Sequence, residues 1–180
     1  TSHTMTTKLV ALLVEDDAVF ALPAWNKAIP LMAKQGFLLT HVAVVPSRVA
    51  KYQGLARLVW YLRVFGLGNA IRMAMFALIE RRRRGQEEPR TWEELALTHG
   101  LVLERFAGPN GIETQTFLRN SQCDVLHVLA AVDLKPTVLE IPRVGAIAHH
   151  ASLLPACRGS FPYFWARLYG EPMGHSMHTL

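Results

Sequence analysis

The hydrophobic positions of this chain fall into short unbroken runs and longer stretches with helical spacing. Residues 9–14 form an apolar run that is typical of a strand buried on both faces of a parallel sheet. Residues 18–34 carry apolar side chains at helical spacing, with Pro30 as a predicted kink or break, and Phe37–Val45 is a second apolar run. Strand, helix and strand in this order predict a βαβ unit with a right-handed crossover.

The same patterns resume after residue 90 and predict the remainder of an α/β domain. Thr91 and Glu94 form a capping box that opens a helix, and Gly100 ends it. Strands are predicted at 101–106, 124–132, 145–150 and from 174, and helices at 112–120 and 161–169. This order predicts a mostly parallel sheet flanked by helices. No Gly-x-Gly-x-x-Gly follows the first strand, so a dinucleotide-binding fingerprint is lacking.

Residues 47–90 are a predicted helical insertion after the second strand. Their apolar part, 55–79, is interrupted by several charged or helix-breaking residues, namely Arg57, Arg63, Gly66, Gly68 and Arg72. A membrane-spanning helix needs about 20 residues with few charges. We therefore expect two amphipathic helices, at about 54–65 and 69–84, that pack on the sheet or on a neighbouring subunit. The alternative is peripheral contact of residues 54–84 with a membrane surface.

Composition is that of a globular domain, since 51% of the 180 residues are hydrophobic and 18% are charged. Two cysteines, Cys123 and Cys157, are too few for a disulfide framework and favour a reducing, cytoplasmic location. No secretory signal is recognisable. Residues 1–5 resemble a tag remnant and are excluded from the domain.

The net charge of +5 could attract partners that carry phosphate groups. Much of this charge lies in one run at 81–84, next to Glu87 and Glu88. No aromatic side chains are interleaved with these arginines, as a nucleic-acid-binding surface would require. The sequence therefore does not favour a nucleic-acid partner.

Residues 146–159 read Ala-Ile-Ala-His-His-Ala-Ser-Leu-Leu-Pro-Ala-Cys-Arg-Gly. This stretch resembles the active-site segment of the folate-dependent formyltransferases, the family of the methionyl-tRNA, glycinamide ribonucleotide and amino-sugar formyltransferases. The family pattern is roughly Asn-x-His-x-Ser-Leu-Leu-Pro-x-Tyr-Arg-Gly, with a Pro and often a Trp in the next helix. The matching residues are His150, Ser152, Leu153, Leu154, Pro155, Arg158, Gly159, Pro162 and Trp165.

The resemblance covers most of the chain, loosely up to residue 130 and closely after it. It implies a Rossmann-like catalytic domain at 6–180 with the helical insertion at 47–90. The strand that starts at Gly174 matches the family's Gly-x-Thr-x-His strand. The catalytic Asp of the family would lie beyond Leu180, so we expect the domain to lack its C-terminal end.

A second departure from the family is at its catalytic Asn, which falls on Ala148. Strand periodicity places Ala148 and His150 on one face and His149 on the other. His149 therefore cannot take the place of the Asn, and the oxyanion donor of the family has no equivalent in the motif.

The resemblance implies 10-formyltetrahydrofolate as co-substrate and an amine as acceptor. In the family the Asn amide and the protonated His stabilise the oxyanion, and the Asp orients the His. His150 is then the catalytic residue, Ala148 occupies the Asn position, and Ser152, Leu153, Leu154 and Pro155 lie beside the folate. Arg158 and Gly159 either contact the substrate or hold the loop. A small amine, such as an amino sugar, is expected in preference to tRNA.

Three alternatives remain open at this stage. The chain is an impaired formyltransferase, a non-catalytic domain that binds folate, a protein or a membrane surface, or a formyltetrahydrofolate hydrolase. Assembly into homo-oligomers is also left open. Four histidines occur late in the chain, at 149, 150, 175 and 178, but their spacing does not suit a metal site and no metal is predicted.

Overall fold

A computed structural model describes residues 6–18, 21–46, 54–83, 85, 88–131, 133–158 and 162–180. The predicted tag remnant, Arg84, Glu87 and Gly159 lie outside the described residues. The strands are β1 (Lys8–Glu15), β2 (Phe37–Val45), β3 (Val102–Arg105), β4 (Val125–Leu129), β5 (Gly145–His150) and β6 (Ser176–Thr179). The helices are α1 (Ala21–Lys34), α2 (Gly54–Arg83), α3 (Trp92–His99), α4 (Ile112–Asn120), α5 (Pro136–Leu139) and α6 (Pro162–Tyr169).

The six strands form one sheet in the order β3-β2-β1-β4-β5-β6. All neighbouring strands are parallel except β5 and β6, which pair antiparallel. The structure confirms the predicted α/β, Rossmann-like, mostly parallel sheet. Because parallel strands point the same way, the carboxyl ends of β1 to β5 meet at one edge of the sheet, where such folds place their sites.

Alternating residues of β1 enter two separate cores, one on each face of the sheet. Leu12 faces α1 and α3, where Trp25 and Trp92 complete the first core. Leu13 faces α4 and α5, where Phe117 and Val138 belong to the second core. Burial on both faces is what the unbroken apolar run of β1 predicted.

Two helix ends have the predicted capping. The Glu94 amide donates to the Thr91 hydroxyl at 3.1 Å, and the Glu94 carboxylate accepts from the Arg90 amide at 2.7 Å. Gly100 ends α3 in the left-handed conformation, with φ 66°. Of the kink or break predicted at Pro30, the break is not found, because α1 continues to Lys34. Pro30 lies on the exposed side of α1, where water can bond the carbonyl that loses its helical partner.

The helical insertion consists of two helices, as predicted, which meet at Gly66 with φ 75° and ψ 161°. Among the described residues, no helix is long and apolar enough to cross a membrane. The expectation that the pair packs on the sheet is not met, since α2 makes no extended contact with any strand and most of its described apolar side chains are exposed. The reason is that α1 and α3 already cover one face of the sheet and α4 and α5 the other.

Candidate functional site

His150 is the last residue of β5, at the edge of the sheet where the parallel strands end. Its partly buried ring donates a hydrogen bond from Nε2 to the Cys157 carbonyl at 3.2 Å. A carbonyl oxygen can only accept, so Nε2 carries a hydrogen. When the ring carries a single proton, Nδ1 is therefore the nitrogen with the lone pair.

The loop after β5 is fastened by two serine hydroxyls. Ser152 is 1% exposed, and its hydroxyl donates to the Ala156 carbonyl at 2.8 Å. The Ser176 hydroxyl on β6 accepts from the Leu154 amide at 2.9 Å and donates to the Ser152 carbonyl at 2.8 Å. Ser176 therefore joins the motif loop to the neighbouring strand. The family pattern indicated a polar residue at this position but not its partners.

In the loop after β5, side chains are exposed to solvent while several backbone groups are hydrogen-bonded within the protein. Leu153 is 44% exposed, and its carbonyl accepts from the Ala156 amide at 3.0 Å. Arg158 donates from Nε to the Pro155 carbonyl at 3.1 Å, a contact that lies inside the loop. Gly174 lies so close that a Cβ added there would be 2.5 Å from Cδ2 of Leu153. The position of Leu153 thus depends on a glycine at 174.

Ala148 and His150 lie on the same face of the sheet, as strand periodicity predicted. Ala148 packs beside the second core, and its register partner on β6 is His178. Side chains directly opposite each other on an antiparallel pair have Cβ atoms about 4.5–5.5 Å apart. The partly buried His178 donates from Nδ1 to the Thr179 carbonyl at 3.1 Å. An imidazole thus stands next to the position where the family has its Asn.

The opposite face carries a row of three histidine rings. The ring of His149 lies 5.8 Å from His127 and 5.6 Å from His175, and Trp25 lies 4.9 Å from His127. Burial, and then the charge of His149, lower the pKa of His127 to about 4. Burial, and then His175, also lower the pKa of His149. In the part of the chain that the structure describes, no three His, Cys, Asp or Glu side chains are grouped to hold a metal.

A cluster of charged side chains joins the ends of β1 and β3 at the same edge. Arg105 contacts Asp16 at 2.8 Å and Glu93 at 2.6 Å. The hydrogen bond from Arg105 holds the pKa of Glu93 below its usual value. All three side chains are about half exposed, so we assign this cluster to the stability of the loops and not to chemistry.

An open depression of about 360 Å³ lies beside the motif loop. Its lining residues are Ala156, Cys157, Arg158, Trp165, Tyr169 and Glu171. The rings of Trp165 and Tyr169 are stacked with centroids 5.7 Å apart. Cys157 also lines the depression, and its carbonyl accepts the hydrogen bond from His150. The depression is therefore adjacent to the residue that hydrogen-bonds His150.

Several curated proteins with similar sequences are methionyl-tRNA formyltransferases. The chain is 38% identical over 91 residues to a methionyl-tRNA formyltransferase of Chlorobium limicola, a match that covers 51% of this chain and 29% of the relative. It is 42% identical over 86 residues to the methionyl-tRNA formyltransferase of Chromobacterium violaceum, with 47% and 28% covered. About half of the chain is thus similar in sequence to formyltransferases.

The match spans less than a third of the length of these curated relatives. No family model matches it. Solved structures show that the shared fold extends along nearly the whole chain. The phosphoribosylglycinamide formyltransferase of Anaplasma phagocytophilum has a TM-score of 0.58 at 16% identity, with 97% of this chain and 65% of that chain covered. A formyltetrahydrofolate deformylase of Pseudomonas putida has a TM-score of 0.53 at 17% identity, with 97% and 49% covered.

Proposed function

We propose that the formyltransferase domain transfers a formyl group from 10-formyltetrahydrofolate to an amine, and that His150 manages the proton. The observation that carries this proposal is the position of the family motif. His150 ends β5 at the open edge of the sheet, and the loop after it is fastened to β6 by Ser176. The names of the sequence relatives support formyl transfer, and the deformylase neighbour is named for its action on a formylated folate.

The reaction begins when the amine nitrogen attacks the formyl carbon and the carbonyl oxygen becomes an oxyanion. The new carbon–nitrogen bond forms, the bond between the formyl carbon and N10 of the folate breaks, and N10 receives a proton. Because Nε2 of His150 is committed to the Cys157 carbonyl, Nδ1 is the atom that can take the proton from the attacking amine. The same atom can then return the proton to N10.

The oxyanion needs a hydrogen-bond donor, and Ala148 offers none in its side chain. We assign this role to His178, the register partner of Ala148 on β6. Its Nδ1 donates to the Thr179 carbonyl, so Nε2 becomes a donor when the ring is protonated. A donor from β6 would compensate for the departure from the family at residue 148.

We assign the folate to the exposed side of the motif loop, with Leu153 as its apolar contact. The Leu154 amide and the carbonyls of Ser152 and Pro155 already have partners inside the protein. The loop therefore contributes apolar side-chain surface and few free backbone groups, which fits the flat ring system of a folate.

The acceptor amine is assigned to the depression beside Cys157. Its stacked Trp165 and Tyr169 can pack against a flat or sugar ring, and Glu171 can attract an ammonium group. We favour a small amine such as an amino sugar or its nucleotide conjugate. Because the sequence relatives are named methionyl-tRNA formyltransferases, methionyl-tRNA is the second acceptor to be tested.

Ala148 also supports a second candidate, a non-catalytic domain that keeps the fold and the folate site. Hydrolysis is a third hypothesis, in which water replaces the amine and formate is released, as the name of the Pseudomonas putida neighbour indicates for that protein. Calorimetry with tetrahydrofolate, combined with turnover of 10-formyltetrahydrofolate with and without amines, separates these hypotheses. Binding without turnover favours the non-catalytic domain, and formate release without an amine favours the hydrolase.

The decisive experiment compares variants of this chain and of an extended chain that carries the Asp-bearing loop of the family after Leu180. Ala148→Asn adds an oxyanion donor on the face of His150, and loss of one such donor typically changes the rate about 10²–10³-fold. We expect a small gain from Ala148→Asn alone. Together with the extension, the gain should exceed the product of the separate gains, because these groups act as a unit.

Three histidine variants complete the test. His150→Ala should abolish formyl transfer. His178→Ala should lower kcat with little effect on folate binding. His99→Ala on α3 is the matched control and should change neither kcat nor folate binding. Transfer that survives His150→Ala, or an extended protein that binds no folate, would overturn the proposal.

A further inference from the structure

The helix pair α2 carries an apolar stripe that is largely exposed in the described part of the chain. In its second helix, Leu67, Ile71, Met75 and Leu78 are each half exposed or more. Their spacing of four, four and three residues puts them on one side of the helix. The first helix adds Leu55 and Leu58, which are exposed to a similar degree. An exposed apolar patch of this length marks an interaction surface.

The same segment holds the excess positive charge of the protein. Residues 54–83 contain six arginines and a single glutamate, Glu80, so the other residues of the chain hold thirteen basic and thirteen acidic side chains. The net charge of +5 is thus confined to α2. Arg63, Arg72, Arg82 and Arg83 are exposed.

We propose that α2 lies in the surface of an anionic lipid bilayer, with its leucine stripe among the acyl chains and its arginines at the headgroups. An in-plane helix combines an apolar stripe with Arg or Lys beside it, and it needs no spanning length. Among the described residues no helix qualifies as a span. The negative surface potential of such a bilayer attracts basic segments that lie close to it. The anionic headgroups would then neutralise the charge of the arginines.

Two other candidate occupants, a second copy of α2 and a nucleic acid, each fit only one of the two features, the apolar stripe or the positive charge. A second copy of α2 would cover the stripe but would bring two segments with five excess positive charges into contact, and like charges across an interface oppose association. A nucleic acid would satisfy the arginines but would leave the leucines in water. An anionic bilayer satisfies both features at once.

Flotation of the purified chain with lipid vesicles tests this proposal directly. Phosphatidylcholine vesicles that contain phosphatidylglycerol should carry the protein, and pure phosphatidylcholine vesicles should carry much less. The triple variant Leu67→Gln/Ile71→Gln/Leu78→Gln should lower the partition coefficient by about tenfold or more. The double variant Arg63→Gln/Arg72→Gln should lower it by a similar factor on anionic vesicles and hardly at all on neutral vesicles.

Matched controls come from exposed residues on other helices. Leu97→Gln on α3 and Arg119→Gln on α4 remove the same kinds of side chain elsewhere and should leave the partition coefficient unchanged. Thermal unfolding of each variant shows that it is folded. His150→Ala should float as the wild type does, so that failure of the proposed formyl transfer and failure of vesicle binding are told apart.

Three results would overturn the proposal. The first is a folded wild type that does not float with anionic vesicles. The second is flotation of the wild type that is equal on neutral and anionic vesicles, or flotation of the triple variant that equals that of the wild type. The third is a dimer in solution that the triple variant converts to a monomer, which would make a second copy of the chain the occupant of α2.

Discussion

In β1 every residue from Ala11 to Val14 is fully buried, whereas in α2 Leu55, Leu67 and Leu78 are half exposed or more. Both segments are strongly apolar, but their surroundings differ. The strand is paired on both sides, by β2 and β4, and covered on both faces by helices. The helix pair satisfies its backbone internally, and no other described element makes an extended contact with it.

Apolar content in this protein therefore has two uses. In the sheet it stabilises the fold and holds the edge at which His150 lies. In α2 it adds little to the stability of the folded domain, because a side chain that stays in water contributes no hydrophobic free energy. Substitutions of apolar residues in the sheet should therefore lower stability, whereas those in α2 should change its surface interactions and leave stability nearly unchanged.

The largest effect is expected from matched truncations in the two regions. Leu12→Ala in β1 removes a side chain with no exposed surface and should lower the free energy of unfolding by about 2–5 kcal/mol. Leu67→Ala in α2 should change it by about 0.5 kcal/mol or less. Urea denaturation of both variants measures the difference. Equal losses would mean that α2 packs on the domain in solution, and the contrast between the two regions would fail.

A pH titration of stability extends the comparison to the histidines of the sheet. Burial lowers the pKa of His127 to about 4 from an ordinary value of 6.5. The unfolded chain therefore takes up a proton first as the pH falls. Stability should be complete above about pH 6.5 and should fall towards pH 4 by roughly 3 kcal/mol, with the neighbouring His149 acting in the same direction.

His127→Phe should flatten this profile, since the replacement keeps the contact with Trp25 and does not titrate. Leu97→Phe on α3 adds the same ring at an exposed position and is the control that should leave the slope as in the wild type. Chemical denaturation at a series of pH values provides the measurement. A wild-type profile without this slope, or an unchanged slope in His127→Phe, contradicts the assignment to His127.

The smallest effect concerns the motif loop. Gly174→Ala would place a Cβ 2.5 Å from Cδ2 and 2.8 Å from Cγ of Leu153. Leu153 is partly exposed and can turn away, so the loss should be about 1 kcal/mol, with a weaker affinity for tetrahydrofolate. Adding Leu153→Ala should restore the stability, because the two changes share one contact.

Gly108→Ala serves as the control for Gly174→Ala, since an added Cβ at Gly108 meets nothing within 4 Å. Calorimetry and urea denaturation of the three variants provide both readouts. If Gly174→Ala behaves like Gly108→Ala, the loop is not held as the structure shows.

Local patterns in the sequence were sufficient for much of the fold. The unbroken apolar runs predicted the parallel strands, the capping box at Thr91 predicted the start of α3, and the central glycines predicted two helices in the insertion. Strand alternation also placed Ala148 and His150 on one face and His149 on the other. Each of these features depends on residues close to one another in the chain, which is why periodicity and capping could predict them.

Contacts between distant residues were decided only by the tertiary structure. The pairing of β6 with β5 brings Ser176 to the motif loop and His178 opposite Ala148. The row of His127, His149 and His175 depends on the register of β4 and β5 and on the residue that precedes β6. Pro30 is tolerated because its side of α1 faces solvent. The apolar pattern of α2 predicted helices, but whether this chain covers them depends on which faces of the sheet are already occupied, and that follows from long-range packing.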